Sequence, residues 1–328
     1  MISLWSAFDK PSFDKMNVTV AICTWNRCRL LDLTLASLSR VRTESIDNWQ
    51  ILLIDNGSQD ATSSVVKSHA SKLPLRYLRQ PVQGHARSRN FAIQHATGDL
   101  MVWTDDDVQV DPGWLAAYVS AALRHPQATF FGGPIEPQFE AARPDWLAET
   151  WTKCRAAFAA RDQGAKELTI PPALFPFGAN FAVRMSTQKE FLFDTSLGRS
   201  ARSMLGEDEI DLLQRLVEAG HQGVWLPFAQ LRHLIPAERA TPGYVGSYLV
   251  GQGMANVIKN RPTLDSRFHA LRVAIYNRLC YWLKKNRKSA DEWVSHLIRS
   301  SIAWGEFRSW NSLLRRTPSS TSPENQPT

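Results

Sequence analysis

The chain has 328 residues, 44% hydrophobic and 21% charged, with a net charge of +7. This is the composition of an ordinary globular protein with apolar side chains enough for a real core, in one large or two modest domains. Its four cysteines, Cys23, Cys28, Cys154 and Cys280, form no C-x-x-C pair, which argues against a zinc site or disulfide framework and fits a reducing cytoplasm.

The opening MISLWSAFDKPSFDK lacks the basic start and long apolar core of a signal peptide. No apolar run is long enough to span a bilayer. A soluble cytoplasmic protein, or a peripheral one at the inner face of the cell membrane, is therefore expected. The charge is unevenly placed: Arg261 to Arg316 hold twelve Lys/Arg and four Asp/Glu, a net of +8, leaving −1 for the rest. Any electrostatic partner is expected at that C-terminal part.

In chain order, NVTVAICTWN (17–26) reads as a β-branched strand ending at a turn. LLDLTLASLSRV (30–41) is helical, with Leu31, Leu35 and Leu38 on one face. WQILLIDNGSQD is a second apolar strand stopped by Asn-Gly-Ser, ATSSVVKSHASK a helix and LRYLRQP a short strand. ARSRNFAIQHAT is a helix stopped at Gly98, and DLMVWT is the fourth strand. This β-α-β-α-β-α-β order, with near-continuous apolar strands, predicts an α/β fold whose parallel sheet is covered on both faces. A helix over 114–124 follows, then strands in ATFFGGPIEP and PFGANFAVRM. GEDEIDLLQRLVEAG enters a helix, and HQGVWLPFAQLRHLIP holds two short strands ending near His233.

Ligands of such sheets bind at the carboxyl ends of strands. Three of those ends are polar: Thr24-Trp25-Asn26, Asp55 to Ser58, and Asp105-Asp106-Asp107. Three adjacent carboxylates repel one another, so either water or a cation must compensate them. Strand alternation points Asp105 and Asp107 one way and Asp106 the other. A D-x-D spacing offers two oxygens to one hard cation and leaves positions for phosphate oxygens and water. No G-x-G-x-x-G follows the first strand and no G-x-x-x-x-G-K-[ST] is present, which sets aside the usual phosphate loops.

VTVAICTWNR, ILLIDNGSQDAT, QGHARSRNFAIQHATGDLMVWTDDDVQVDPGWL, PFGANFAVR and GEDEIDLLQRLVEAGHQGVWLP resemble, in order and spacing, the successive blocks of family 2 glycosyltransferases of the GT-A fold. The resemblance covers roughly residues 17–240. It implies transfer of a sugar from a nucleotide-diphosphate donor, UDP-sugars being commonest, to a hydroxyl of a glycan or lipid-linked saccharide. It also implies inversion at the anomeric carbon, a divalent Mn²⁺ or Mg²⁺ cofactor and a place in polysaccharide or glycoconjugate biosynthesis.

On the family pattern Thr24 lines the nucleotide base, Asp55 meets the nucleoside, and the Arg89–Asn90 pair faces the donor, where a planar guanidinium fits phosphate oxygens. Asp107 is the expected direct metal ligand, with Asp105 shared between metal and ribose and His233 facing metal or diphosphate. An Asp107→Ala chain is expected to lose transfer with its fold intact. Gly178 and Asn180 fall in a block beside the acceptor pocket, and Arg202 lies in GRSARSM, a loop able to close on the donor. The catalytic base, a carboxylate that takes the acceptor proton, is Asp208 or Glu209. Helical phase puts Glu209 near the centre of the buried stripe, Asp208 at its margin and Glu207 beyond it.

The C-terminal region departs from this pattern. FHALRVAIYNRLCYWLKK and WVSHLIRSSIAWGEFRSWNSLL are Trp-bearing basic helices. They suit either an anionic membrane surface or packing on the catalytic domain. The expected organisation is an extension (1–16), a catalytic domain (17–240, with a nucleotide-sugar half at 17–112 and an acceptor half at 113–240), a helical extension (241–316) and a disordered tail (317–328). Two rival readings compete with this one. A nucleotidyltransferase would want a glycine-bearing first loop, whereas CTWNRCRL has none. A non-catalytic carbohydrate or nucleic-acid binder is permitted by the basic C-terminus, but acidic strand tips would repel phosphate.

Overall fold

The computed structural model describes residues 16–44, 46–199, 204–260 and 263–314. Strands and helices alternate through the first half: β1 (Asn17–Thr24), α1 (Cys28–Leu38), β2 (Asn48–Asp55), α2 (Thr62–His69), β3 (Leu75–Arg79), α3 (His85–His95) and β4 (Leu100–Asp105). Next come β5 (Val108–Val110), α4 (Trp114–Arg124), β6 (Phe130–Gly132), β7 (Ile135–Phe139), α5 (Asp145–Glu149), α6 (Trp151–Cys154), β8 (Leu168–Thr169), β9 (Asn180–Arg184) and α7 (Met185–Glu190). The chain closes with α8 (Asp208–Glu218), β10 (Gly223–Trp225), β11 (Leu231–Ile235), α9 (Pro242–Asn260), α10 (Leu264–Lys284) and α11 (Ala290–Leu314).

Eight strands form one sheet in the order β3-β2-β1-β4-β9-β6-β10-β8, and β5-β11-β7 form a second, small sheet. The first four strands of the large sheet are parallel, as their crossover helices require. The sheet is not parallel throughout: β9 runs antiparallel to both β4 and β6. Gly133 and Pro134 also divide the single strand read in ATFFGGPIEP, sending β6 and β7 to different sheets.

Alternation along the strands fills two layers. Val18, Val20, Ile22, Leu100 and Val102 join Leu31, Leu35, Leu38, Trp114 and Tyr118 on the face covered by α1 and α4. Ala21, Met101 and Trp103 join Ile93, Leu212, Leu213 and Leu216 on the face covered by α3 and α8. Because both faces are buried, the strands carry almost no polar positions until they end, and the polar tips collect along one edge.

A third core is built by the C-terminal helices. Val245, Tyr248 and Leu249 of α9, Tyr281 of α10, and Trp293, Val294 and Leu297 of α11 pack with Phe158 and Ile235 of the catalytic region. Helices α9 and α11 approach at backbone distance. A Cβ at Gly253 would run into the Ile302 carbonyl, and one at Gly305 into the Val250 carbonyl. Replacing Gly253 with leucine is therefore expected to lower stability by about 3 kcal/mol, the upper end for overpacking, because backbone rather than a side chain must yield. A thermal melt of the full chain reads this as a drop in Tm, whereas an unchanged melt would mean the crossing is loose.

Candidate active site

The polar strand tips open into a cavity of ≈ 490 Å³ walled by Thr24, Arg27, Asp105, Asp107, Glu209 and His233, among others, a volume suited to a small ligand. Two charge clusters organise it.

The first surrounds the acidic triplet. Strand β4 stops at Asp105 and β5 starts at Val108, so the two-residue turn between them breaks the expected alternation. Asp105 is turned toward Arg89, 4.0 Å away, while Asp107 goes to the opposite wall. Asp106 is buried, accepts from Thr24 Oγ1 at 2.7 Å and pairs with Arg27 at 2.9 Å. Asp107 Oδ2 accepts from Arg27 at 3.1 Å and from Arg239 at 3.0 Å. Burial alone would raise the Asp107 carboxyl, but His233, Arg27 and Arg239 outweigh it and hold it well below 3.8. Much of the compensation the triplet needs is thus supplied by side chains of the protein itself, although burial and the neighbouring acids still hold the Asp106 carboxyl above its ordinary value.

Asp107 Oδ1 is different. It is buried with no hydrogen-bond partner and lies 3.2 Å from His233 Nε2. His233 Nδ1 is 3.0 Å from the Phe158 carbonyl, an acceptor, so Nδ1 carries a proton and Nε2 presents a lone pair unless the ring is charged. Burial favours the neutral imidazole, yet the Asp107 carboxylate outweighs it and raises His233 above 6.5. Two lone pairs face one another here across a gap that a proton or a metal ion must fill. Ligands ~2.1 Å from one ion sit about 3 Å apart when adjacent, so this pair fits a divalent cation, and the Nδ1–carbonyl contact is the outer support such a histidine uses. The triad expected from sequence is not assembled. Asp105 stands apart, and among the described residues no three His, Cys, Asp or Glu side chains converge as a metal cluster.

The second cluster is centred on Arg89, 2% exposed on α3. Its Nη1 lies 3.1 Å from Asp208 and 3.5 Å from Glu209, at the start of α8. The guanidinium lies over the Phe193 ring at 5.0 Å and the Trp103 ring at 5.8 Å, so its plane is fixed by apolar walls. A side chain at Gly178 would collide with it; the Gly178 N–H instead donates to Glu209 Oε1 at 3.1 Å. Burial would raise Asp208, but Arg89 and His85, 3.7 Å away, outweigh it and hold it low. Glu209 goes the other way: burial, then the charge of Asp208, push it up to about 7. Glu207, half-buried, pairs instead with Lys259 of α9 at 2.8 Å.

Several residues singled out from the sequence sit away from the cavity. Asp55 is buried, one oxygen accepting from the Ser58 N–H and the other from the Tyr77 hydroxyl; its neighbour Asn56 reaches the cavity instead. Asn90 exchanges two hydrogen bonds with the Phe193 backbone, at 2.9 and 2.8 Å, and acts as a staple. Asn180 is fully buried: its oxygen accepts from Trp114 and Tyr118, and its nitrogen donates to the Pro134 and Ala229 carbonyls. With all four positions used, it holds the two sheets together and does not face an acceptor. Arg202 lies outside the described residues.

Arg27, Arg239 and His85, which the sequence reading passed over, belong to the site, as do Tyr244 and Tyr248 of α9. Only Arg27, directly after the first strand tip, carried a positional signal.

The model of the family described as glycosyl transferase family 2 matches residues 19–182, half of the chain. The chain belongs to glycosyl transferase family 2. Among its relatives is the succinoglycan biosynthesis protein ExoM of Rhizobium meliloti, 22% identical over 263 residues, 80% of this chain and 79% of that protein. The hyaluronan synthase of Pasteurella multocida is 30% identical over 125 residues, 38% of this chain, and the match spans only 13% of that protein. A mannosyltransferase from Pyrobaculum calidifontis, solved with GDP-Man and Mn²⁺, superposes with a TM-score of 0.53 at 17% identity, covering 94% of this chain and 77% of that one. The family 2 chain accordingly has the GT-A fold.

In this family 2 chain Asp107 is a buried charge hub, which changes what its removal does. Asp107→Ala strands Arg239 and His233 and leaves Arg27 with Asp106 alone, and is expected to destabilise the metal-free protein by about 3–5 kcal/mol, instead of leaving the fold intact. A depressed carboxyl stabilises above its ordinary pKa and loses that contribution as pH falls through the folded value. His233, raised by the same pair, loses its share as pH rises through its folded value, so urea melts should show the gap between parent and variant widest above the ordinary carboxylate range and below the raised His233 value, shrinking toward acid.

Proposed function

We propose that the chain is an inverting glycosyltransferase. It takes a sugar from a nucleotide-diphosphate donor, a UDP-sugar in the simplest case, and transfers it to a hydroxyl of a glycan or lipid-linked saccharide in polysaccharide or glycoconjugate assembly. Family membership supports sugar transfer. The observation that carries the mechanism is the acid pair on α8 with unequal environments.

Inversion by direct displacement needs one carboxylate to take the proton of the attacking hydroxyl. Glu209 suits that task. It reaches the cavity wall, it is oriented by the Gly178 N–H, and its carboxyl lies near neutrality. Asp208, 1% exposed and committed to Arg89 and His85, is a positioning residue. Its charge raises Glu209 while its pairing with Arg89 keeps the cluster rigid. Arg89 in this reading holds the acids and is not a free diphosphate ligand.

Asp107 Oδ1 and His233 Nε2 would hold a Mn²⁺ or Mg²⁺ ion, with donor phosphate oxygens and water completing its shell. When bound, the ion supplies Lewis-acid stabilisation of the leaving diphosphate. Thr24 fixes Asp106, and with it the turn that aims Asp107. The mannosyltransferase neighbour carries Mn²⁺ with its nucleotide sugar, in keeping with this arrangement.

Glu209→Gln is expected to lower kcat for transfer by about 10²–10⁴ with donor affinity retained. A base works deprotonated, so the parent rate should climb with pH through about 7. Asp208→Asn removes the like charge and should move that limb to lower pH. A Glu209→Gln chain with near-parent turnover would overturn the assignment. Calorimetry with Mn²⁺ and nucleotide diphosphate tests the metal pair separately: nucleotide and ion should each tighten the other's binding, and His233→Ala should abolish that coupling.

A further inference from the structure

Helix α10 has two faces of opposite character. Its inner face rests on α11: the Tyr281 ring meets Trp293 at 5.9 Å, and Asn277 meets His296 at 2.9 Å. Its outer face carries Phe268, Ile275, Tyr276, Leu279, Trp282 and Leu283, between 53% and 65% exposed. At 3.6 residues per turn these six share one side of the helix. They are six of the thirteen large apolar side chains exposed among the described residues, so the surface is a patch and not scatter.

The charge around the patch has one sign. From Ser266 to Ala290 there are seven Lys/Arg and no Asp or Glu. Arg272, Arg287 and Lys288 are exposed, and Lys285 lies over the Tyr281 and Trp282 rings at 5.5 and 5.7 Å. No described helix is long and apolar enough to cross a membrane.

We propose that the outer face of α10 docks on an anionic phospholipid bilayer, with the helix lying in the interface plane. Its aromatic side chains would enter the headgroup boundary while Arg and Lys meet lipid phosphates. A basic flank beside an aromatic and aliphatic stripe is the pattern that binds such surfaces. Rival occupants fit less well. A second copy seated by the same face would oppose two cationic flanks. The C-terminal stretch RRTPSSTSPENQPT contains no Ala, Val, Leu, Ile, Met or aromatic residue and has little to bury against the patch. This inference goes beyond sugar transfer and stands without it.

The test is vesicle flotation of the full chain with phosphatidylcholine alone and with about 30% phosphatidylglycerol added. Co-flotation is expected with the anionic vesicles only, weakening in about 0.5 M salt as screening shortens the attraction. Leu279→Ser/Trp282→Ser and Arg272→Glu/Arg287→Glu should each lower the vesicle partition coefficient at least about tenfold. Both changes are on the surface, so melting temperature and nucleotide-sugar hydrolysis should hold. Absent flotation, or equal flotation of parent and both variants, overturns the proposal while leaving the transferase reading untouched. A parent dimer that Leu279→Ser/Trp282→Ser converts to monomer in sedimentation velocity would assign the face to a second copy and equally overturn it.

Discussion

Carboxylates gathered at the ends of buried parallel strands repel one another, and exclusion of water strengthens the repulsion. The rest of this site follows from how that repulsion is met. Asp105, Asp106 and Asp107 leave the sheet edge beside Asp208 and Glu209 of α8, and with Glu238 they make six acids around one cavity. Guanidinium groups from three separate places offset them: Arg27 after β1, Arg89 on α3 and Arg239 ahead of α9. Each such pair joins segments far apart in sequence. Breaking one would leave a buried charge uncompensated, which costs far more than a surface pair contributes.

Compensation is incomplete at Asp107 and on α8, and both are where chemistry is proposed. On Asp107 one oxygen takes two guanidiniums, while the other faces only His233 Nε2, 3.2 Å away, with a proton or a cation needed between them. On α8 the single positive charge of Arg89 lies nearer Asp208 than Glu209, so one acid stays ionised and the other is lifted toward neutrality. Neighbouring acids pushed apart in this way acquire different tasks. Groups perturbed in this way cluster at functional sites, which supports the roles proposed for Asp107 and Glu209.

The sequence carried the order of strands and the edge where ligands gather, because apolar runs ending in Thr24, Asp55 and Asp105 are a local signal. It carried the acid pair too, through the helical phase of Leu212, Leu213 and Leu216, all fully buried. Direction of pairing was not legible: β9 enters antiparallel to partners about 80 and about 50 residues away, and alternation reads the same either way. The D-x-D spacing misled for a related reason, since periodicity holds only while a strand lasts and the turn at Asp106 ends it. Asn180 and Asn90 sit in the right blocks, yet their amides are consumed by Trp114, Tyr118 and the Phe193 backbone. Arg239 follows no pattern at all, and its contact with Asp107 exists only in three dimensions.

The same limit applied to the C-terminal helices, where an apolar stripe could face inward or outward. The structure separates them by layer: α9 and α11 bury their stripes against one another and Phe158, while α10 turns most of its own outward. This places the extension in direct mechanical relation to the cavity. Arg239, which holds Asp107, leads within three residues into α9, and Tyr244 and Tyr248 on the first turns of α9 form part of the cavity wall. Because α9 meets α11 at the glycines Gly253 and Gly305 with no room for a side chain between them, the helices cannot slide independently. A surface seating α10 would therefore also set the orientation of the cavity, through the packed contacts of α10 with α11 and of α11 with α9.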